Sequence, residues 1–453
     1  MKSSDRFGTV FLVIWATSLM FLGCGGQASH PLSTIHNDYY VSMSGNDAND
    51  GVTPQTAWAT LQHAADKLVV GSTGTTVHVA PGTYDSTTYC SVSGLVNGTT
   101  MVCMRRSGSP SQPIVFQSDQ KWQAKLTCPI GNSFFILVGS YIQVVDFEMS
   151  CPGGAFAAGT YGDNGHNQFL GNYLHDFDTG ACDASGILFG SNGGTGKASA
   201  NIGHDVASGN VIHHGGVDLS AASHCELYQG IYFGDPYDVI TNNVISGLIG
   251  WGVQIYGGGV CHQVISNNTI FNNSQGGLRI ENVTGVGGHW DECGNGGIAD
   301  YMTVTNNIIV NNGMGKTYTG TGAGIDATGY GTGGTHNLYS HNIVFGNEPA
   351  SVLLSGPDVS ADEKIGTVFS VFVNFQADTN WAPATPYNYL NYALAAGSPA
   401  IAAGTSACAA GTPSCVPATD VTGASRLMGV YDIGAFAFLQ SAILRLPART
   451  NVI

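Results

Sequence analysis

In the stretch GGLRIEN, residues 276–282, an arginine and a glutamate stand two positions apart in a central region with almost no other basic residue. Two positions is the repeat of an extended strand. Leu278 and Ile280 therefore turn to one side, and Arg279 and Glu281 turn together to the other, where they are expected to be exposed. As a bare surface ion pair they contribute about 0–1 kcal/mol. As a site they set a fork of donors beside a carboxylate, which suits sugar hydroxyls or an acidic group. Other carboxylates widen the chemistry. Glu281 with Asp326, or Glu281 with Asp235, forms the kind of pair that hydrolyses glycosides when about 5–5.5 Å or 6.5–9.5 Å apart. The run NVIHHGGVDLSAASHCELYQGIYFGD gathers His213, His214, Asp218, His224, Glu226 and Asp235 in one long turn and its strand. Histidine is readily poised for proton transfer near neutrality, and His224, just before the strand, is the first candidate base. Asp291 and Glu292, in the loop GGHWDECGNGG, are candidate calcium ligands.

Such residues need a scaffold that stacks distant segments, and the chain carries a repeat that does so. From about residue 110 a unit recurs: an Asn turn, an apolar pair, a second turn, then Gly and a short strand. The turns hold Asn172, Asn210, Asn243, Asn268, Asn307 and Asn342. The strands turn Ile187, Ile231, Val253, Leu278, Ile325 and Val352 inward, at steps of 44, 22, 25, 47 and 27. The basic period of 22–27 is one coil of a solenoid, and each long step holds either an extra coil or a loop of similar length. Asn suits the bends because it tolerates the left-handed conformation and its amide can bond to its equivalents above and below. In register, the coils stack Leu188, Tyr232, Gln254, Arg279 and Asp326 in one outward column, with Tyr256, Glu281 and Thr328 beside it. Rungs ~4.8 Å apart match roughly one sugar residue each. Tyr232 and Tyr256, with Trp251 and Trp290 in flanking turns as walls, would stack on sugar C–H faces while the polar groups bond to hydroxyls.

Ahead of the repeat, the segment YYVSMSGNDANDGVTPQTAWATLQHAADKLVVGSTGTTVHVAPGTY holds one amphipathic helical run and one alternating strand, the makings of an end cap for an open stack. Together with the NNxI rungs it resembles bacterial right-handed parallel β-helix proteins of the pectate lyase-like superfamily, over roughly residues 38–380. The tail LAAGSPAIAAGT…DVTGASRLMGVYDIGAF resembles the closing module that often follows such helices in exported proteins. The resemblance implies an all-β, right-handed parallel β-helix with an N-terminal capping helix and a small C-terminal module. The chain then divides into an export segment (1–24), a linker (25–37), the β-helix (38–384), the closing module (385–440) and a tail (441–453). It also implies a polysaccharide lyase or glycosidase acting along the outward groove. Lyases of this superfamily take the C5 proton of a uronic acid with a basic side chain, often Lys or Arg, while calcium or another cation neutralises the carboxylate. Arg279 stands as that base or as the carboxylate anchor, and Glu281 as a calcium ligand or orienting partner. The chain departs from the pattern in two ways. No Lys lies on the expected face, since Lys197 and Lys316 fall in Gly-rich loops. Arg279-Ile280-Glu281 matches only part of the Arg-Ile-Lys segment of polygalacturonase-like helices, whose Asn-Thr-Asp, Asp-Asp and Gly-His-Gly motifs are missing. A non-catalytic glycan-binding or adhesion protein is the alternative.

Composition fits this scaffold. The 453 residues are 43% hydrophobic and only 10% charged, with 64 glycines, which suits short strands and tight turns. Residues 1–24 read as an export signal: Lys2 and Arg6 precede an apolar run, and MFLGCGGQ resembles a lipoprotein cleavage site with Cys24 as the lipidated residue. The apolar run, at 17 residues, is short for a membrane span. Setting Cys24 aside leaves 10 of 11 cysteines. Neighbour pairing gives Cys90–Cys103, Cys128–Cys151, Cys182–Cys225, Cys261–Cys293 and Cys408–Cys415, as expected outside the cytoplasm. Loss of Lys2, Arg6 and Asp5 takes the 14 basic and 30 acidic residues to 12 and 29, a net charge of −17. That disfavours nucleic acid, and an acidic glycan would need a bridging cation or a local basic spot. The expectation is a monomeric, exported protein, in the cell envelope or outside the cell, whose partner is a polysaccharide. Its only membrane contact would be a lipid anchor, and calcium is the one cofactor considered.

Overall fold

In the computed structural model, residues 37–438 are described, apart from 86–89, 91–98, 128–131, 151–155, 163, 178–183, 191–201, 217–227, 257–260, 282–297, 314–322, 330–333, 355–359, 362–367, 378–386, 411–414 and 428. All of these belong to one of two compact units, His36–Ile453. From Thr75 on, the described chain winds through three sheets in strict rotation. The first has eleven strands, from Asn37–Val41 to Ser360–Ala361. The second has nine, from Gly82–Asp85 to Ile343–Phe345, and the third has nine, from Thr99–Met104 to Ala350–Leu354. Neighbouring strands pair in parallel, each with its equivalent one coil away. Three parallel sheets visited in turn by successive coils are a parallel β-helix. Each coil has three strands; the sequence pattern marks two of them, because the strand before each Asn turn is only three residues long, as in Val239–Thr241 and Val264–Ser266.

The interior is a set of stacked apolar columns. Ile187, Ile231, Val253, Leu278 and Ile325 pair directly in series and are fully buried. Because Ile187 meets Ile231 and Leu278 meets Ile325 with nothing between, the long steps of 44 and 47 each close a single coil. Glycines enter the third sheet at one repeated position. A Cβ at Gly230, Gly252, Gly277 or Gly324 would come within 2.3–2.6 Å of an Ile or Val methyl of the second sheet, so the inner corner admits no side chain. The expected capping helix is Leu61–Lys67, started by the Thr60 side chain accepting from His63 N–H, and it sends Leu61, Ala64 and Ala65 into the core. The expected strand beyond it is two strands, Thr75–Val79 and Gly82–Asp85.

The Asn turns divide their work between two neighbours. The left-handed residue is the first of each pair: Gly171, Gly209, Asn242, Asn267, Asn306 and His341 have φ of 55–69°. The second is the ladder. Oδ1 of Asn210, Asn243, Asn268, Asn307 and Asn342 each accepts the backbone N–H of the Asn one coil before at 2.9–3.0 Å. These ladder residues are fully buried, so the amides satisfy backbone groups that water cannot reach. A second ladder, Asn273–Asn312–Asn347, supports the other end of the second sheet. Between the third and first sheets the left-handed residues Tyr141, His166, His204, Tyr237, His262 and Tyr301 carry rings instead. They stack in series, ending on His336, with centroids 4.3–4.9 Å apart.

The C-terminal segment lies along the second sheet. Val211, Val244, Phe271, Ile308 and Ile343, on the outer side of that sheet, form a second core with Val371, Phe372, Tyr392, Leu394, Val421, Ile433 and Phe436. The left-handed asparagines pin its backbone: Asn242 Nδ2 donates to Thr419 O at 2.5 Å, Asn267 Nδ2 to Asp432 O at 2.9 Å and Asn306 Nδ2 to Thr405 O at 2.8 Å. In two earlier coils the same left-handed position is Gly171 or Gly209, which has no amide side chain to offer. Cys90–Cys103 and Cys408–Cys415 are disulfides as paired from the sequence, and Cys261 is disulfide-bonded too. Cys24, Cys128, Cys151, Cys182, Cys225 and Cys293 lie outside the described residues. Among the described residues no helix is long and apolar enough to cross a membrane.

Candidate functional site

Strand Gly276–Glu281 sits in the third sheet between Trp251–Ile255 and Ala323–Gly329. The register makes one column of the outward residues: Leu188 pairs with Tyr232, Tyr232 with Gln254, Gln254 with Arg279, and Arg279 with Asp326. The expected exposure is corrected. The Arg279 side chain is only 16% exposed and that of Glu281 4%, while Gln254, Asp326 and Trp251 as residues are 4%, 1% and 1% exposed. Alternation along a strand decides which side a residue faces, not what lies over it. The accessible line is Tyr232, Tyr256 and Arg279, half-buried, and Thr328, exposed.

Beneath that line runs a chain of hydrogen bonds across the rungs. Ser185 Oγ donates to Gln229 Oε1 at 2.9 Å, Gln229 Nε2 to Gln254 Oε1 at 2.8 Å, and Gln254 Nε2 to Glu281 Oε2 at 3.0 Å. Glu281 Oε1 takes Arg279 Nη2 at 2.5 Å. Both carboxylate oxygens therefore accept from fixed donors, which holds the guanidinium in one orientation. Trp251 is the second correction. It is in the strand Trp251–Ile255 rather than a flanking turn, and it does not wall an open groove. Its ring lies beneath the guanidinium, with Arg279 Cζ 5.4 Å from the ring centre. Gly276 makes the room, since a Cβ there would come 2.0 Å from Trp251 Cζ3. The Trp251 indole N–H is buried without a hydrogen-bond partner among the described residues. The next strand shifts register between Arg279 and Glu281, a bulge at the very pair that carries the polar groups.

Gln229 and Ser185 are absent from the sequence-based site. Strict alternation from Ile231 turns Gln229 inward, but Tyr228 joins the core and the phase breaks across Gly230, sending Gln229 to the outer side with Gln254. The signal available was the glycine itself, which marks a break in a strand. Other candidates are placed elsewhere. Asp326 Oδ1 is occupied by Thr328 N–H at 3.0 Å and Thr328 Oγ1 at 2.6 Å. Asp235 lies past the end of strand Tyr228–Phe233, buried, with its carbonyl accepting from Gln263. Burial raises the pKa of Asp205 well above the usual range, and the nearby Asp235 carboxylate adds to this. His213 and His214 lie in the second sheet. Asp218, His224, Glu226, Trp290, Asp291 and Glu292 fall outside the described residues. Among those described, no three His, Cys, Asp or Glu side chains converge as metal ligands.

No family model and no curated protein matches the sequence. Solved structures do. A rhamnogalacturonan lyase is 12% identical, with TM-score 0.43, 75% of this chain and 91% of that one covered. A lacto-N-biosidase from Eubacterium ramulus is 13% identical, with TM-score 0.41, 68% and 60% covered. The pectate lyase Pel9A is 16% identical, with TM-score 0.33, 89% and 96% covered.

The site's charges limit its chemistry. The Arg279 charge is matched by Glu281 at contact distance, and Asp326 stands in the next rung of the same column. A guanidinium has no acceptor capacity, so it donates hydrogen bonds here. Glu281 is engaged at both oxygens by fixed donors, Gln254 Nε2 and Arg279 Nη2.

Proposed function

We propose that the chain is an exported protein that engages polysaccharide along the outward face of the third sheet, and that the Arg279–Glu281 pair binds sugar rather than cleaving it. The carrying observation is the relay from Ser185 through Gln229 and Gln254 to Glu281, which ends on a guanidinium reaching the accessible line of Tyr232 and Tyr256. Tyrosines one rung and two residues apart suit the C–H faces of neighbouring sugars, and the fixed N–H groups of Arg279 suit their hydroxyls. The apolar leader, the cysteine after it and the disulfides support export. With the pair neutral and the whole chain at −16, hydroxyl-rich neutral glycans fit this site better than uronates; calcium would be needed to bring an acidic chain near.

The reading of a lyase or glycosidase makes a different forecast from the same material. Affinity gels carrying neutral glycans, pectate or alginate, run with and without calcium, test retention, while unsaturated products and reducing ends are followed in solution. Retention on a neutral glycan is expected to weaken about 10–100-fold in Arg279→Ala, from about 1.5–3 kcal/mol for hydrogen bonds to a charged group. Unchanged retention would remove the site, and Arg279-dependent products would replace binding with catalysis.

A further inference from the structure

The residues that follow the stacked rings, at the corner between the third and first sheets, form a ladder of their own. Ile142 N–H donates to Asn167 Oδ1 at 3.1 Å, Asn167 N–H to Asp205 Oδ1 at 2.6 Å, Asp205 N–H to Asp238 Oδ1 at 2.9 Å and Met302 N–H to Asn337 Oδ1 at 2.9 Å. Where the ladder residue is an amide, its nitrogen has a fixed second task. It donates to the carbonyl three residues before the ladder position one coil back: Asn167 Nδ2 to Gly139 O at 3.1 Å, Gln263 Nε2 to Asp235 O at 2.7 Å and Asn337 Nδ2 to Ala299 O at 2.9 Å. The Asn ladder of the neighbouring corner keeps the same offset, since Asn243 Nδ2 donates to Ala207 O and Asn268 Nδ2 to Ile240 O.

Asp205 and Asp238 hold this position in consecutive coils, and both are fully buried. An aspartate keeps the oxygen that accepts the backbone N–H but sets a second oxygen where the amide nitrogen belongs. By the common offset Asp205 Oδ2 is turned to the Asn164 carbonyl, acceptor against acceptor, and it is buried with no hydrogen-bond partner. A carboxylate there would be a desolvated charge, the costliest state for such a group. The titratable groups around it among the described residues bring no cation: Asp238 one coil on, Asp235 past the end of strand Tyr228–Phe233, the Tyr237 ring, and the His166 and His204 rings, whose pKa values burial lowers. Burial raises the pKa of Asp205 well above the usual carboxylate range; the Asn167 N–H opposes this, the Asp235 carboxylate adds to it and the Thr160 hydroxyl opposes it.

We propose that Asp205 is a neutral carboxylic acid whose Oδ2–H donates to the Asn164 carbonyl, doing with a proton what Asn167 does with an amide, and that this proton is a pH-sensitive clasp between two coils. A proton fits the place and a calcium ion does not. The amide counterparts stand 2.7–3.1 Å from their carbonyls, the separation of one hydrogen bond. Calcium takes about 6–8 oxygens at about 2.3–2.6 Å, whereas the offset gives each coil one side-chain oxygen and one carbonyl, and no three acidic side chains converge among the described residues. Asp238 stands one rung away, so ionising both carboxyls would set two buried charges side by side. An amide makes the same bond at every pH. The acid makes it only while protonated, and on ionising it leaves the Asn164 carbonyl facing a negative charge.

The folded chain then keeps a proton that the unfolded chain releases near the ordinary value of about 4. This stabilisation is complete below about pH 4 and drains as pH rises toward the folded value, by about tenfold in the folding constant per pH unit. Asp205→Asn keeps both hydrogen bonds without a titrating proton. In denaturant unfolding of the full chain between about pH 5 and 7, the folding constant of Asp205→Asn relative to the parent is expected to rise about tenfold per pH unit. The same ratio for Asp85→Asn, at an exposed carboxylate, is expected to stay flat. In protein carrying carbon-labelled aspartate, a carboxyl resonance at the protonated position is expected near neutral pH in the parent, kept in Asp238→Asn and lost in Asp205→Asn. A flat ratio for Asp205→Asn, or a parent whose aspartates are all ionised near neutral pH, would overturn the proposal; the second reading needs no variant to fold. Stability that rises with added calcium in the parent but not in Asp205→Asn would put a cation in the proton's place and overturn it equally.

Discussion

Replacing Asn268 by Ala tests whether the ladder amides hold the coil together. Asn268 is fully buried. Its Oδ1 accepts Asn243 N–H and Asn243 Nδ2, both at 3.0 Å, and its Nδ2 donates to Ile240 O at 2.8 Å and to Asn307 Oδ1 at 3.0 Å. Truncation orphans a backbone donor, an amide donor and a backbone carbonyl, while Asn307 Oδ1 keeps the Asn268 N–H. An unsatisfied buried group costs about 1–3 kcal/mol, and water entering the vacated space recovers part of the three, so the loss is about 3–6 kcal/mol. Its neighbour Asn267 makes a different forecast. Its φ of 55° suits glycine, and the substitution removes the side-chain bonds to Asp432 O and Gly434 O and the long 3.4 Å bond that Oδ1 accepts from Asn306 Nδ2, so Asn267→Gly costs about 1–2 kcal/mol. The assay is denaturant unfolding of both variants beside the unaltered chain, comparing midpoints at constant slope. An Asn268→Ala chain within about 1 kcal/mol of the parent, or an Asn267→Gly chain that loses more, would refute the division of labour between the two asparagines.

Stability should peak at about pH 6.5. Burial lowers the pKa of His166, His204 and His262, and lowers that of His213 to about 3, so the stability from keeping them neutral is complete above their ordinary value near 6.5 and drains as pH falls below it. His175, which burial would lower but the Asp176 and Glu148 carboxylates raise to about 9, acts in the opposite sense: its contribution is complete below about 6.5 and is lost as pH rises through 9. Melting temperatures taken across pH 4–10 should therefore fall on both sides, and a monotonic rise to pH 10 would contradict the His175 assignment. Gly276→Ala should displace Trp251 from beneath Arg279, because the new Cβ would sit 2.0 Å from its ring. Loss of about 1–3 kcal/mol with weaker glycan retention is expected. Full retention would mean the stacked indole is not part of the site.

Much of the fold was legible because its rules are periodic. The inward column from Ile187 to Val352 and the outward column from Leu188 to Asp326 follow from alternation and one repeat length, and the register bears them out pair by pair. Two things were not legible. Coil number depends on whether 44 or 47 residues close one turn or two, and no local preference distinguishes a long loop from an unrecognised coil. Accessibility was the other: Arg279 and Glu281 face outward as alternation requires, yet are largely enclosed. Lys125, Glu148, His175, Asp176 and His214, linked by ion pairs across successive coils, are scattered over 90 positions of sequence. Of these, His214 alone stood out, as half of a His-His doublet.

The three corners explain why chemistry concentrates where it does. At the bend between the first and second sheets, the left-handed residues include asparagines whose amides hold the C-terminal segment, so that bend is committed to docking. At the bend between the third and first sheets, the same conformation carries rings that cover one another's faces and leave only edges outward. The outer side of the second sheet is apolar where the C-terminal segment lies on it. Among the described residues, polar side chains meet solvent on the outer side of the third sheet, on the stretch of the second sheet ending at Asp176 and His214, and on the outer side of the first sheet at Asp38, His78 and Asp119. A stacked coil holds such groups at fixed rung spacing without dedicated supports, since each is braced by its equivalents above and below. That is how a Gln two rungs from Glu281 can decide where Arg279 points, and why Gln229→Ala should weaken glycan retention nearly as Arg279→Ala does although Gln229 is itself buried. Retention in Gln229→Ala equal to that of the parent chain would show that the relay fixes nothing, and that Arg279 meets sugar on its own.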